Sequence, residues 1–359
     1  MTPPSRTELR FALERFLPAA LEPGQRASVH RLTGGHIHDS YRVDAAGRGM
    51  LLQRLNERVF PDLDAVTHNI ALVTNALGAQ RTHLTPLVSR SGTWLERDTS
   101  DNRWRAFEFI DRAHGVALAT RPAHAEAAAR AFGTFFRDCA AIDPAQLRIT
   151  IPHFHDTPVR VATLERIIER DVAGRAALAR AEIAFARSHY ALGARLVEAH
   201  AAGRIPVRVV HNDAKIANVL FDDDSGDSVC VVDLDTVMPG FAAYDVGDLV
   251  RSMAGSTSED ARDPSRLRLR PGVADATLRG WLGAAGGVIT PAERASLVTG
   301  ALVITFEQGV RFLTDYLESD RYYKTTRAGQ NLDRARVQFA LLRALEAEAE
   351  RLERFVETA

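Results

Sequence analysis

The sequence has few of the features that mark secreted, membrane or nucleic-acid-binding proteins. Its two cysteines, Cys139 and Cys230, form neither a disulfide framework nor a zinc-binding spacing. Its 45 Lys and Arg residues nearly balance 46 Asp and Glu residues, so no basic field favours nucleic acid or an anionic membrane. No apolar run approaches the roughly 18 residues of a membrane span, and the N-terminus predicts a capped amphipathic helix rather than a signal sequence. We therefore expect a cytoplasmic protein with small-molecule partners, and neither nucleic acid nor a membrane among them.

Strand and helix patterns divide the 359 residues into two parts. Residues 1–110 contain short alternating runs separated by Gly-containing turns, which predicts antiparallel strands with one interior helix over 62–77. Ala-rich helical periods dominate residues 111–359, where "NVLFD" and "SVCVVDL" form a hairpin around a "DDSGD" turn. The predicted fold class is α+β, with a strand-rich N-terminal lobe and a mainly helical C-terminal lobe. In that second lobe the pattern predicts helices over 122–141, 157–171, 174–202, 291–318 and 331–357.

Polar residues at the ends of apolar strands are the most informative feature of the sequence. The stretch "VRVVHNDAKIANVLFDDDSGDSVCVVDLDTVMPG" places Asp213 in a loop after one strand, and Asn218 and Asp233 at neighbouring ends of the hairpin strands. An amide oxygen and a carboxylate are the hard ligands that Mg²⁺ uses together with substrate phosphates and water. Asp213 alone is also compatible with a simple turn. The spacing His-x-Asp-x-x-x-x-Asn, followed by Asp at a strand end, is typical of kinases and predicts phosphoryl transfer from a Mg²⁺-nucleotide to a hydroxyl group.

Motifs along most of the chain resemble the aminoglycoside phosphotransferase and choline kinase-like enzymes, which share the protein-kinase fold. The motifs "HNDAKIANVL", "VVDLDTVMPG" and "YDVGD" look closest to the bacterial N-acetylhexosamine 1-kinase branch, and "GGHIHDSYRV", "LLQRLN", "FHDTPVR", "RFLTDYLESDRYYK" and "NLDRARVQ" support this resemblance. The resemblance implies an antiparallel-sheet, nucleotide-binding lobe over 1–110 and a helical lobe with the catalytic loop and acceptor site over 111–359. It also implies ATP and Mg²⁺ as cofactors.

The same resemblance implies a role for each matching residue of the catalytic loop, which begins the motif "HNDAKIANVL", and of the metal loop, which lies in the motif "VVDLDTVMPG". Asp213 is expected to be the catalytic base, and Lys215 either contacts the transferred phosphate or is a solvated lysine. The expected Mg²⁺ ligands are Asn218 and Asp233, with Asp235 assisting the metal or ordering the loop. The neighbouring His211 is expected to brace the catalytic loop by hydrogen bonding.

The resemblance also implies where the nucleotide lies. Backbone N–H groups of Gly34 and Gly35 are expected near a phosphate. Arg54 stands where the family has a phosphate-binding lysine on the third strand. The family places an acid in the following helix, where this chain has "THNI", so the partner of Arg54 is left open. Adenine is expected to bind mainly through backbone groups of Glu108, Phe109 and Ile110.

For the acceptor, the resemblance implies a sugar that contacts His38, Asp39, Thr236, Arg311 and Tyr322. The branch has Asn at the position of His38 and a large apolar residue at that of Ser252, which leaves the N-acetyl preference open. The favoured hypothesis is a kinase that phosphorylates the anomeric hydroxyl of a hexose or N-acetylhexosamine. The alternatives are a kinase of the same fold acting on another alcohol, such as an aminoglycoside, a choline-like amine or homoserine, and a nucleotide-binding protein without catalysis.

Overall fold

The computed structural model describes residues 3–17, 27–32, 37–45, 47–78 and 83–359. The strands are β1 Ser28–Leu32, β2 Asp39–Ala45, β3 Arg48–Arg54, β4 Glu96–Arg97, β5 Arg103–Glu108, β6 Ala113–Gly115, β7 Arg208–Val210, β8 Val219–Asp222, β9 Ser228–Val231 and β10 Met238–Gly240. The α-helices are α1 Arg6–Phe16, α2 Leu63–Leu77, α3 Pro122–Asp138, α4 Thr157–Arg170, α5 Arg180–Ser188, α6 Tyr190–Ala201, α7 Ala242–Ala254, α8 Val273–Ala285, α9 Pro291–Leu317 and α10 Gln330–Thr358.

The N-terminal part is an antiparallel sheet with strand order β1-β2-β3-β5-β4. Helix α1 covers one face of this sheet, and a capping box between Ser5 and Glu8 starts that helix. Phe16 of α1 packs with Leu52 and Trp104 in a small core that is separate from the main core of the protein. We call this side of the sheet the α1 face.

The opposite side of the sheet, which we call the cleft face, carries a different set of side chains. Because successive residues of a strand point to opposite sides, Arg54 lies on the α1 face with Leu52, whereas Gln53 lies on the cleft face. Gln53 pairs with Arg105 of β5, so Arg105 also lies on the cleft face. The alternation of side chains along the strands therefore places Arg54 and Arg105 on opposite faces of the sheet.

The C-terminal part is mainly helical and contains two small sheets. Strands β8 and β9 form the predicted hairpin, β8 also pairs with β6, and β7 pairs with β10. The α+β prediction with an antiparallel N-terminal sheet is confirmed. The chain passes from the first sheet to the second between the end of β5 and the start of β6, close to the proposed lobe boundary at residue 110. None of the described helices is long and apolar enough to cross a bilayer.

Most of the predicted helices form close to their expected bounds, and the structure differs from the prediction in two respects. The predicted helix over 174–202 is divided into a 3₁₀ turn at 176–179 and the helices α5 and α6, which meet at His189. Two helices, α7 and α8, add to the predicted set. Residues 242–250 of α7 are all buried, so this helix has no polar face and no amphipathic period for the sequence to reveal.

Helices α7 and α9 approach closely because glycines line their contact. A Cβ added to Gly247 would overlap the carbonyl of Gly300, and one added to Gly300 would overlap the carbonyl of Ala243. The "YDVGD" motif thus presses α7 against the longest apolar helix of the main core. This packing fixes the acidic residue Asp245 behind the catalytic loop.

Candidate active site

Asp213 lies in the loop after β7 with one carboxylate oxygen engaged and the other open. Lys215 Nζ donates to Asp213 Oδ2 at 2.7 Å, and Asn218 Nδ2 donates to the same oxygen at 3.0 Å. No described residue donates to Asp213 Oδ1. Burial would raise the pKa of Asp213, but the Lys215 ammonium holds it below its ordinary value. Asp213 is therefore an ionised carboxylate with one oxygen available to a hydroxyl group.

The residues before Asp213 are fixed from three sides. Asn212 has a positive φ of 64°, and its N–H donates to Asp245 Oδ1 at 2.7 Å. The side chain of Asn212 donates to the carbonyl of Thr236 at 3.0 Å, and the carbonyl of Asn212 accepts from His155 Nε2 at 2.9 Å. A strained backbone of this kind persists where the surrounding contacts determine it. Asp245, His155 and the metal loop supply those contacts.

His211 braces the catalytic loop as expected. Its Nδ1 accepts from the N–H of Asp213 at 3.3 Å, and its Nε2 lies 3.0 Å from the carbonyl of Val232. Because Nδ1 accepts, the ring proton is on Nε2 and is donated to the Val232 carbonyl. The ring is fully buried, with its faces and edges against Phe132 and Phe135. His211 thus ties the catalytic loop to the end of β9, one residue before Asp233.

Asn218 and Asp233 lie at adjacent ends of the β8–β9 hairpin. The carbonyl of Asn218 accepts from the N–H of Val232 at 2.9 Å, and the amide nitrogen of Asn218 is used by Asp213, so its Oδ1 is left to face a ligand. The half-buried Asp233 side chain has no hydrogen-bond partner among the described residues. Burial and the neighbouring Asp235 and Asp213 raise the pKa of Asp233 to about 6. An orphaned carboxylate beside an unused amide oxygen fits a Mg²⁺ ion.

Asp235 has a different environment from Asp233. Its two oxygens accept from Arg105 Nη1 at 2.6 Å and Arg105 Nη2 at 2.9 Å, and Oδ2 lies 2.6 Å from His38 Nε2. Although Asp235 is buried, this contact with Arg105 holds its pKa below the ordinary value. The part of the chain that the structure describes contains no group of three or more His, Cys, Asp or Glu side chains placed to hold a metal ion. Because Arg105 already binds both oxygens of Asp235, we leave Asp235 out of the metal ligands that we propose below.

Arg54 and Asp39, predicted to contact phosphate and sugar, pair with each other. Arg54 Nη2 donates to Asp39 Oδ2 at 2.5 Å, and Arg31 Nη2 donates to Asp39 Oδ1 at 2.8 Å. Both Arg54 and Asp39 lie on the α1 face of the sheet and are buried. The partner that the sequence left open for Arg54 is thus a strand acid rather than a helix acid. On the cleft face, the cation directed at the metal loop is Arg105.

The other predicted nucleotide residues divide into two groups. Gly34 and Gly35 lie outside the described residues. Glu108 is exposed, while Phe109 and Ile110 are half-buried, in the segment that joins the two sheets. The N–H of Glu108 donates to the carbonyl of Thr85 and that of Phe109 to Gly49. The N–H of Ile110 makes no hydrogen bond to any described residue, so it is the open donor of this segment.

The predicted acceptor residues occupy three environments. The side chain of His38 is only 6% exposed, with Nδ1 accepting from the N–H of Asn56 at 3.1 Å and Nε2 directed at Asp235. Thr236 is buried, and its hydroxyl has no partner among the described residues. Tyr322 is 59% exposed and packs against Tyr323 with ring centroids 4.8 Å apart. The loop that carries both tyrosines is shaped by Asp315, which accepts the backbone N–H groups of residues 321, 322 and 323.

Arg311 lies close to the His155–Glu307 pair in an aromatic environment. Its guanidinium is 5.1 Å from the ring centroid of Phe154 and 5.9 Å from that of Tyr323. Arg160 lies nearby and donates to the carbonyl of Phe154 at 3.2 Å, while its buried Nε has no partner among the described residues. Burial and the charge of Arg311 lower the pKa of Arg160. Two guanidinium groups therefore share one partly buried region.

Several residues that position the site were not found by sequence reasoning. His155, Asp245 and Arg105 act through partners between 33 and 152 residues away in the chain, so no local pattern identifies them. The buried Asn69 of α2 belongs to the same group. Its amide nitrogen donates to the carbonyls of Arg148 and Val237 at 2.7 and 2.8 Å, and its oxygen accepts from the N–H of Arg148. The signal that could have found Arg105 is strand alternation, since it places Arg105 on the face opposite Trp104 and Ala106.

Comparisons with known proteins agree with this architecture. The fold is similar to that of an aminoglycoside phosphotransferase from Alicyclobacillus acidocaldarius, with a TM-score of 0.65 and 14% identity over 100% of this chain and 98% of that one. A spectinomycin phosphotransferase in complex with ADP and spectinomycin gives a TM-score of 0.61 and 12% identity over 96% and 99%. A choline/ethanolamine kinase family protein from Mesorhizobium loti gives 0.56 and 18% over 98% and 99%. The profile of the phosphotransferase enzyme family matches residues 28–287, and the chain therefore belongs to that family.

Proposed function

We propose that the protein is an ATP- and Mg²⁺-dependent sugar kinase that transfers the γ-phosphoryl group to the anomeric (1-) hydroxyl of a hexose or N-acetylhexosamine. The observation that carries this proposal is the Asp213 carboxylate. Its Oδ2 is fixed by Lys215 and Asn218, and its Oδ1 is open toward the site. Phosphoryl transfer to an alcohol needs a carboxylate in this state to orient the attacking hydroxyl. The family match supports the reaction class, and the resemblance to hexosamine kinases supports the acceptor.

Asn218 Oδ1 and the Asp233 carboxylate would hold the Mg²⁺ ion. Their number suits Mg²⁺, which usually binds one or two protein oxygens and completes its octahedron with phosphates and water. When bound, the ion neutralises negative charge on the nucleotide phosphates. The raised pKa of Asp233 is consistent with a carboxylate that lacks its cation.

In the proposed reaction, Asp213 Oδ1 accepts a hydrogen bond from the acceptor hydroxyl and aligns its oxygen with the γ-phosphorus. The bond between the acceptor oxygen and phosphorus forms as the bond from phosphorus to the β-γ bridging oxygen breaks, and ADP leaves. The hydroxyl proton passes to Asp213. Because Lys215 holds the pKa of Asp213 low, Asp213 is a weak base, and orientation of the nucleophile is its larger contribution.

For the nucleotide, we propose that adenine lies against the segment 108–110. The unpaired N–H of Ile110 supplies a donor there. The spectinomycin phosphotransferase of similar fold binds ADP, which supports a nucleoside diphosphate as the product. The backbone of Gly34 and Gly35 remains the predicted contact for the phosphates.

Charge near the acceptor site favours a neutral sugar over an amine. The two guanidinium groups of Arg160 and Arg311 lie close to Glu307, and this buried acid is already bound to His155 and Thr157. An ammonium group would be repelled there, whereas hydroxyl or carbonyl oxygens would accept from the guanidinium donors. The exposed Tyr322 would add a further polar contact, and we keep the buried, unpaired hydroxyl of Thr236 as a second proposed contact of the sugar. The alternative of an amino-alcohol acceptor is supported by the similarity to a choline/ethanolamine kinase family protein. That similarity is one of fold and carries no information on the residues of the acceptor site.

A direct test is to measure ADP release with Mg·ATP over a panel of hexoses, N-acetylhexosamines, aminoglycosides, choline, ethanolamine and homoserine. We expect turnover with sugars and a product that has lost its reducing end, because a phosphate at the 1-position blocks ring opening. A product that still reduces copper would place the phosphate elsewhere on the sugar. Turnover confined to amines would support the alternative acceptor, and Mg·ATP binding with no turnover on any acceptor would support the non-catalytic alternative.

A further inference from the structure

We infer that Arg105 is a positioning residue for the metal loop: by holding Asp235, it fixes the direction in which Asp233 faces. This inference rests on the proposed function, in which Asp233 binds Mg²⁺. Arg105 belongs to β5 of the N-terminal sheet, whereas Asp235 follows β9 of the second sheet. The contact therefore sets the metal loop in relation to the sheet on which we place the nucleotide.

Every donor nitrogen of Arg105 has an acceptor. Nη1 and Nη2 bind the two oxygens of Asp235 at 2.6 and 2.9 Å, and Nε donates to Gln53 Oε1 at 2.9 Å. The side chains of Arg105 and Asp235 are only 8% and 1% exposed. A parallel two-bond pair fixes both distance and plane, which a single-point cation does not. Three of the five N–H groups of Arg105 are thus bound to protein side chains, and two of these three hold Asp235, so we assign the guanidinium to the brace.

Two further contacts of the metal loop, besides the pair with Arg105, are made by Asp235. His38 Nε2 lies 2.6 Å from the Asp235 carboxylate, and the Asp235 carbonyl accepts from Thr150 Oγ1 at 3.0 Å. Asp233, by contrast, has a positive φ of 65° and no side-chain partner among the described residues. A non-glycine residue in this conformation needs support from its surroundings. Asp235, two residues further along the chain, gives support on one side, and the contact of His211 with the carbonyl of Val232 gives support on the other.

The inference is tested by a double-mutant cycle on Mg²⁺ binding. The variants are Arg105→Met, Asp235→Asn and the double variant, and the measurement is ADP affinity by calorimetry as a function of Mg²⁺, with no acceptor present. We expect each single variant to raise the apparent dissociation constant of Mg²⁺ by about 10-fold or more, as is typical for groups that orient metal ligands. We expect the double variant to be no weaker than the worse single variant, because both remove one interaction. ADP affinity without Mg²⁺ should stay unchanged.

Two further variants make the cycle decisive. Arg105→Met leaves Asp235 buried without its cation and is the variant most at risk of misfolding, so Arg105→Lys, which keeps the charge but loses the two-bond geometry, is measured beside it. The double variant has lost both the Arg105 and the Asp235 charge, so neither is left buried without its partner. If Arg105→Met does not fold, the double variant is compared with Asp235→Asn instead. Arg97→Met is the matched control, since Arg97 pairs with Asp101 on the exposed edge of the same sheet. We expect Arg97→Met to bind Mg²⁺ and ADP like the wild type.

The outcomes separate this inference from the proposed function. Wild-type protein that binds ADP with no response to Mg²⁺ overturns the proposed metal site and the inference together. A wild-type response that all Arg105 variants retain overturns the inference alone. Loss of ADP affinity in Arg105→Met without Mg²⁺, or a double variant whose loss is the product of the two single losses, would make Arg105 an independent phosphate ligand instead.

Discussion

His155 and Glu307 form a buried ion pair that supports the backbone of the catalytic loop. His155 Nδ1 lies 2.8 Å from Glu307 Oε1, and His155 Nε2 lies 2.9 Å from the carbonyl of Asn212. Both partners are acceptors, so both ring nitrogens carry protons and the ring is an imidazolium. Burial alone would lower the pKa of His155, but the Glu307 carboxylate raises it overall. The loop that presents Asp213 is thus attached to α9 through a charge.

Because of this ion pair, we expect the free energy of unfolding to decrease at alkaline pH. A raised folded-state pKa means that the stabilisation is complete below pH about 6.5 and is lost as pH rises through the folded-state pKa of His155. His155→Gln should lower the free energy of unfolding by about 3 kcal/mol at pH 6. The difference between wild type and variant should shrink as pH increases, which thermal melts across pH 6–10 would show. Exposed His153, replaced in the control variant His153→Gln, should give no such convergence; a difference for His155→Gln that is constant with pH would contradict a protonated ring.

Replacing Asp213 tests the chemical step. Asp213→Asn keeps the size of the side chain but removes the charge that accepts from the acceptor hydroxyl. We expect kcat to fall by about 10²- to 10⁴-fold, with Mg·ADP affinity within roughly threefold of wild type. The control is Asp223→Asn, because Asp223 is exposed in the turn of the β8–β9 hairpin and its side chain pairs with His114, which is also exposed. An Asp213→Asn variant that turns over ATP at nearly the wild-type rate with every acceptor would exclude the proposed role.

Replacing Asp233 should have opposite effects on protein stability with and without the metal. The pKa of about 6 means that the ionised carboxylate opposes folding, an effect that is present above pH 6 and fades as pH falls toward 4. Asp233→Asn should therefore stabilise the protein in EDTA at pH 7.5 by on the order of 1–2 kcal/mol, and by less at pH 5. The same variant should lose the stabilisation that Mg²⁺ with ADP gives to the wild type. Thermal melts in EDTA and in Mg·ADP measure both effects, and a variant that is destabilised in EDTA would argue against an uncompensated carboxylate.

Arg311 predicts an effect on the acceptor alone. Arg311→Gln keeps a donor but removes the charge and the stacking on Phe154. We expect the KM of the sugar to rise by about 10- to 100-fold while the KM of ATP changes little, since a charge-assisted hydrogen bond contributes about 1.5–3 kcal/mol. Arg187→Gln is the control, because Arg187 is exposed and pairs with Glu165 on the helical surface. A rise in the KM of ATP with no change for the sugar would move Arg311 out of the acceptor site.

The sequence predicted well those features that follow from local order along the chain. The hairpin that brings Asn218 beside Asp233 depends on adjacent strands and a short turn, and Asp213 depends on a fixed spacing from them. Helix bounds such as those of α2 and α4 follow from caps at Asp62 and Asp156 and from an apolar period. These elements need no knowledge of distant contacts.

The features that the sequence did not reveal depend on register and on distant partners. The direction in which Arg54 faces is set by strand parity, and a shift of one residue exchanges the two sides of a sheet. Its pairing with Asp39 follows from the register of β2 and β3, which no motif specifies. The structural role of Asp235 depends on Arg105, 130 residues earlier in the chain. Motif matches therefore predict which loop holds the metal, but they do not reveal that one of its two acids is already paired with a cation.

The three hydrogen bonds of Asn69 have a consequence for how this protein is controlled. In the protein-kinase pattern, the helix after the third strand carries an acid that must meet the strand lysine, and swinging that helix switches the enzyme on or off. Here the same helix, α2, is fastened through Asn69 to the carbonyls of Arg148 and Val237, and its apolar side lies in the main core. These contacts oppose a swing of α2 of the kind that switches protein kinases. We expect an enzyme that is always assembled for catalysis, whose output follows the supply of its substrates.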